Sequence, residues 1–143
     1  MNVLSHQKGF SLIEIMVVLV IMGLLAGIVA PNVMGALVKS KGSKVVSDIK
    51  NLETALKMYK LDNYTYPRTE QGLLALVEKT DIDPQPKHWR GDGYVPKLPQ
   101  DPWDNEYLYL SPGDDGQPYE IYTLGADGIR GGEDEDADLS SLQ

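Results

Sequence analysis

Residues 10–30 read FSLIEIMVVLVIMGLLAGIVA, an apolar run whose one charged side chain is Glu14. A helix rising about 1.5 Å per residue over that length spans a bilayer core of about 30 Å. This feature bounds the rest, because a chain of 143 residues has room for one such span and one small domain. Lys8 stands before the run and Lys39, Lys41 and Lys44 follow it. Flanking charge therefore does not by itself orient the span.

Charge divides the chain in two. Residues 1–60 carry seven lysines against three acids, or +4, whereas residues 61–143 carry six bases against eighteen acids, or -12. An acidic exposed domain argues against nucleic acid as the main partner, since phosphate binding needs clustered Lys and Arg. It suits a divalent cation. There is no cysteine, which excludes a disulfide framework, a thiolate zinc site and a thiol nucleophile together. His6 and His88 are the two histidines, too few for a multi-histidine centre. A small domain without disulfides often relies on a metal ion or on packing against neighbours.

An ordinary secretory signal places its small-residue cleavage site after the apolar run, where Gly27 and Ala30 mimic one. The alternative is processing before the run, between Gly9 and Phe10, which leaves the helix on the mature protein. Residues 8–14, KGFSLIE, carry that alternative. They resemble the processing motif of type IV pilins and type II secretion pseudopilins. The resemblance implies that a prepilin peptidase cuts after Gly9 and methylates the new amino terminus at Phe10.

A carboxylate near the top of a membrane helix costs on the order of 2.5–3.5 kcal/mol on insertion scales. Glu14 reads either as an acid that snorkels to the interface or as half of a pair. In the second reading its partner is the Phe10 amine of an adjacent subunit, and the penalty for an unpaired buried charge rewards correct register.

Pro31, Gly35 and Gly42 follow the apolar run and each weakens a helix. Two outcomes stay open: the helix ends there, or it continues in the free subunit and melts between Pro31 and Gly42 on assembly, as the resemblance implies. Beyond Gly42, Val45, Ile49, Leu52, Leu56 and Tyr59 form one apolar stripe at helical spacing, with Lys44, Asp48, Lys50, Lys57 and Lys60 largely off it. That stripe predicts a core helix stopping near Asp62 and Asn63. Thr69 reads as the N-cap of a second, shorter helix through Glu78. Short strands are expected at Tyr94 and Val95, at 107–110 and at 119–124, with a hairpin turn at 111–116. The fold class is α+β, with a long N-terminal helix, half transmembrane and half amphipathic, packed on a small antiparallel sheet. Trp89, Tyr94, Trp103, Tyr107 and Tyr109 read as core and inter-subunit packing rather than as a stacking platform for sugars or bases.

The resemblance covers nearly the whole chain and narrows to the major pseudopilins of type II secretion. The segments TEQGLLAL at 69–76, GYVPKLP at 93–99, DPWD at 101–104 and TLGADG at 123–128 are similar to theirs. Type IV pilins usually close their C-terminal region with a disulfide, which this chain cannot make. The organisation implied is a leader at 1–9, a transmembrane and filament-core helix at 10–30, and a periplasmic pilin-like head at 31–143.

The head ends in an acidic loop. Residues 124–138 hold six carboxylates and four glycines. Calcium takes six to eight oxygens from flexible loops of this composition. The spacing is not that of an EF-hand, and by composition alone a solvated acidic tail is the stronger reading. The resemblance reverses this: it implies a Ca2+ site with Asp127 and Asp134 as side-chain ligands, Leu124 as a carbonyl ligand, and Asp136 and Asp138 as further candidates.

The implied role is structural, not enzymatic: a subunit that polymerises into a periplasmic pseudopilus driving folded proteins across the outer membrane. Its partners are then other copies of itself, minor pseudopilins, the peptidase, an inner-membrane assembly platform and inner-membrane lipid, with energy from a separate ATPase. A surface type IV pilus subunit for adhesion or DNA uptake is the alternative within this architecture. A membrane-anchored glycosidase is the alternative outside it, but no carboxylate falls in an apolar setting that would raise its pKa for acid catalysis.

Overall fold

In the computed structural model, which describes residues 9–142, a single helix α1 runs Leu12–Asn63. Of the expected leader, residues 1–8 lie outside the described residues. The chain divides into two compact units, Met1–Leu37 and Val38–Gln143, with the boundary inside α1.

In the first unit, Ser11 caps the helix: its hydroxyl accepts the Glu14 amide N–H at 3.2 Å and its carbonyl accepts those of Glu14 and Ile15. Ser11 and Glu14 stand three apart, the spacing of a capping box, and Glu14 falls in the first turn where the helix dipole favours an acid. The side chains at 12–29 are exposed along the whole segment, Leu12 at 83% and Leu24 at 67% among them. The helix is long and apolar enough to cross a membrane by length and composition. No break interrupts it at Gly35 or Gly42.

In the second unit, the stripe lies where its periodicity places it. Val45, Ile49, Leu52, Leu56 and Tyr59 are buried, joined by Ala55. Burying each large apolar side chain stabilises the fold by about 1.5–3 kcal/mol, so this face anchors α1 to the head. α1 ends at Asn63. There the Asn63 side chain donates to Tyr59 O and Tyr94 OH and accepts the His88 N–H, tying the 88–94 loop to the helix end.

The sheet has three antiparallel strands in the order β1 (Leu108–Leu110), β2 (Glu120–Thr123), β3 (Leu139–Ser140). Tyr109 pairs with Ile121 and both are buried, whereas Leu108 is exposed, the alternation a one-sided sheet requires. Thr123 pairs with Leu139, which brings the two ends of the acidic loop side by side. Residues 111–119 make the expected hairpin connection.

Three local expectations need correction. Thr69 does not cap a second helix. Its hydroxyl donates to Ser111 O and accepts the Ser111 N–H at 2.9 Å, so a tertiary contact takes the group a cap would have used. What forms is a short 3-10 turn, Leu73–Leu76, entered through Gly72. Tyr94 and Val95 do not form a strand: both N–H groups donate to Leu76 O, and Pro96 cannot extend a ladder. The third strand, Leu139–Ser140, lies just beyond the acidic loop, where no strand is expected. Among the described residues the head is thus one α-helix with three short strands and three 3-10 turns, rather than two helices on a sheet.

The aromatic residues pack as expected of core. Tyr107, Tyr109 and Tyr119 are buried, and Trp89, Tyr94 and Trp103 pack against them from the rim. Two polar tips are satisfied inside, Tyr109 OH donating to Pro67 O at 2.8 Å and Trp89 Nε1 to Ala75 O at 3.0 Å, whereas the Trp103 indole N–H is buried without a hydrogen-bond partner.

Candidate functional site

Two places carry the candidate residues. The first is the amino-terminal motif. Gly9 and Phe10 precede α1 in irregular backbone and are exposed, Phe10 at 80%. Glu14 sits on the exposed first turn, and among the described residues no cation pairs with it.

The second place is the loop between β2 and β3. Leu124 is half-buried at the end of β2. Asp127 turns back on its own loop, its Oδ1 accepting the Ile129 N–H at 2.9 Å. Asp134, with a φ of 55°, opens the 3-10 turn Asp134–Asp136, and both acids of that pair are exposed. Asp138 stands just before β3. Its Oδ2 accepts the Gly131 N–H at 3.0 Å, while its Oδ1 is buried with no hydrogen-bond partner.

The loop closes because two of its glycines admit backbone where a side chain would stand. Gly125, at a φ of 70°, lies so close to the opposite arm that an added Cβ would sit 2.7 Å from Glu135 O. Gly132 makes a similar approach to the Asp136 backbone. The Ala126 N–H donates to Glu135 O across the same gap at 2.9 Å.

All five expected ligand positions thus share one closed loop pinned by two paired strands. Their side chains are not drawn together: among the described residues no cluster of three or more carboxylates or histidines stands within reach of one ion. Two observations fit a hard cation here. The donors are oxygens with no cationic partner among the described residues, and Asp138 keeps a buried oxygen that no protein group satisfies. Glu135, one of the two loop carboxylates outside that set, is different. It pairs with Lys41 of α1 at 2.8 Å, and that hydrogen bond first, then the lysine's charge, holds it below the usual carboxylate range.

Sequence reasoning missed the buried acid that supports this loop. Asp101 is 2% exposed; its Oδ1 accepts the N–H groups of Trp103 and Asn105, and its Oδ2 accepts the Thr123 hydroxyl. Thr123 Oγ1 in turn accepts the Gly125 N–H. An Asp two residues before the amide it accepts is an Asx turn, so the local half of this contact was legible in DPWDN. The bond to Thr123 was not.

Comparison with known proteins places the whole chain. Residues 32–142 match the family model described as type II secretion system (T2SS), protein G, and residues 4–30 match the prokaryotic N-terminal methylation motif. Type II secretion system core protein G of Pseudomonas aeruginosa is 56% identical over 136 residues, 95% of each chain. Its counterpart in Vibrio cholerae is 52% identical over 141 residues, 99% of this chain and 95% of that one. The crystal structure of the major pseudopilin from the type 2 secretion system of enterohaemorrhagic Escherichia coli superposes with a TM-score of 0.69 at 46% identity. It covers 78% of this chain and 94% of that chain.

Proposed function

The chain belongs to the type II secretion system protein G family, and from that premise we propose that it is the major structural subunit of a pseudopilus. The observation that carries this reading is a methylation motif joined directly to an apolar helix and a pseudopilin head, with matches from end to end. The helix anchors the subunit in the inner membrane with the head in the periplasm. Assembly then moves it from lipid into a fibre that pushes folded proteins towards the outer membrane. Partners finer than the system itself belong to the same proposal: other copies of this chain, minor pseudopilins, a prepilin peptidase and an inner-membrane assembly platform. We assign the chain no catalysis, and no observation favours the pilus alternative.

Chemistry at the amino terminus follows from the charges. Cleavage after Gly9 leaves a positive amine at Phe10. In a fibre core, Glu14 of a neighbouring subunit neutralises it, and each charge removes the other's penalty for leaving water. A subunit one register out leaves both unpaired. Glu14→Ala therefore gives processed, membrane-inserted protein that does not assemble. Fractionation and fibre shearing of overexpressing cells test this; normal fibres and normal secretion from the variant would sink the pairing.

The acidic loop holds calcium in this proposal, with Asp127, Asp134, Asp136, Asp138 and the Leu124 carbonyl as the ligand set. The ion's contribution is charge neutralisation of a carboxylate-rich loop. The protein's own residues supply the closure, through Gly125, Gly132 and the β2–β3 pairing. An ion held at about 100 times its Kd stabilises the folded chain by roughly 2.7 kcal/mol. Thermal unfolding in calcium and then in chelator should differ by several degrees, and the difference should vanish in Asp138→Ala. Equal transitions in both buffers would reduce the loop to a solvated acidic segment.

A further inference from the structure

The acidic loop carries six carboxylates and one base, Arg130. Arg130 does not neutralise them: its guanidinium stands over the Tyr122 ring, 5.8 Å from the centroid. The one ion pair the loop makes among the described residues is Glu135 with Lys41, 94 positions away on α1. Both side chains are about one-third exposed, 31% for Lys41 and 37% for Glu135. The Lys41 ammonium also lies over the Trp103 ring, 5.6 Å from its centroid, so it is held on two sides.

Glu135 is tied at both ends of its residue. Its carboxylate binds the helix, and its backbone carbonyl accepts the Ala126 N–H from the opposite arm of the loop. Any movement that opens the loop therefore pulls on Lys41. The helix is weak at that point. Gly42 is the next residue, and Ser43 Oγ bonds back to Lys39 O at 2.9 Å, an arrangement that slightly destabilises and bends helices. One turn later the helix is well fastened: Lys44 bonds Asp48 and Gln100 O, and Tyr107 OH donates to Asp48 at 2.9 Å. Among the described residues of 38–143, Lys41 makes the most N-terminal side-chain hydrogen bond from α1 to the rest of the head.

We infer that Lys41 is a positioning residue that latches the acidic loop to α1, so that closing the loop holds the helix turn at 38–45 and opening it releases that turn. The latch itself requires no metal. Its second consequence rests on the calcium reading: a cation that closes the loop protects the helix turn only through the Lys41–Glu135 pair.

Hydrogen exchange on the full chain in detergent micelles tests both parts. Peptides covering 38–45 and 125–138 are followed in chelator and in excess calcium chloride, with the core peptide at 52–59 as the folding control. In chelator, Lys41→Met and Glu135→Gln should each exchange about fivefold faster in both segments, with 52–59 unchanged. The charge swap, Lys41→Glu with Glu135→Lys, should recover most of the protection. Unchanged exchange in the single variants, or a swap no better than either, overturns the latch. In calcium, the wild-type chain should gain protection in both segments and Lys41→Met in the loop alone. Equal gain at 38–45 in Lys41→Met shows another route and overturns the coupling. No gain anywhere in wild type removes the calcium reading while the chelator arm still decides the latch.

Discussion

Asp101 shows how much one buried side chain can carry in a head this small. Its carboxylate closes the turn before β1 and reaches across to Thr123 at the mouth of the acidic loop. Replacing it by alanine strands the part-buried N–H groups of Trp103 and Asn105 and the buried Thr123 hydroxyl, each bond to a charged acceptor contributing about 1.5–3 kcal/mol. Asp101→Ala should therefore lose at least about 3 kcal/mol in urea unfolding. Thr123→Val removes one of those bonds while keeping its volume, and should cost about 1–3 kcal/mol. If the two variants were equally stable, the carboxylate would not be the hub described. Lys41 is a smaller case of the same logic, since a partly exposed pair contributes little by strength and acts by position.

At the scale of elements, α1 works as two helices in one. Its first part exposes apolar side chains all round over 12–29; its second part has a single buried stripe and supplies the spine of the core. Leu56→Ala, at 0% exposure, should cost about 2–5 kcal/mol in the denaturation of the head. Leu24→Ala, at 67%, should leave that transition unchanged and show its effect in membrane retention or fibre yield instead. The loop between β2 and β3 depends on backbone approach rather than on side-chain contact. Gly125→Ala meets Glu135 O at 2.7 Å and asks a left-handed conformation of alanine. Thermal unfolding of that variant should show a lower midpoint and a reduced calcium-dependent shift.

For the whole molecule, the titrating groups predict an asymmetric response to pH. Burial pushes the Tyr109 phenol up to about 12, and burial likewise raises Tyr107 and Tyr119. A folded-state pKa above the unfolded value near 10 means that the unfolded chain ionises first as pH rises. The stability that the Tyr109 phenol contributes is complete below about pH 10 and is lost progressively between about 10 and 12, and the losses from Tyr107 and Tyr119 begin as the unfolded phenols ionise in the same range. Urea midpoints should fall steeply across that window, and Tyr109→Phe should flatten the fall. On the acid side the sign reverses. Asp62 is lowered by its hydrogen bond to Arg90 and Glu135 by its bond to Lys41, so their contribution is present above the ordinary carboxylate range and fades below it. Both groups face solvent, and the acid limb should be shallow.

The sequence alone determined the membrane-length helix, the buried stripe on its second part, its stop at Asn63 and the hairpin at 107–123. Each of these depends on periodicity or composition within one segment, where neighbouring residues decide the outcome. It also located the processing motif and the acidic loop, because their chemistry is contiguous. Tertiary structure decided the rest. Thr69 lost its cap to Ser111, Tyr94 and Val95 turned to Leu76 rather than to a strand, and Leu139 and Ser140 found β2. Those outcomes, with the bonds from Asp101 to Thr123 and from Lys41 to Glu135, join residues from 16 to 94 positions apart. No local pattern encodes them, since the free energy that selects each contact exists only once the core has brought the two segments together.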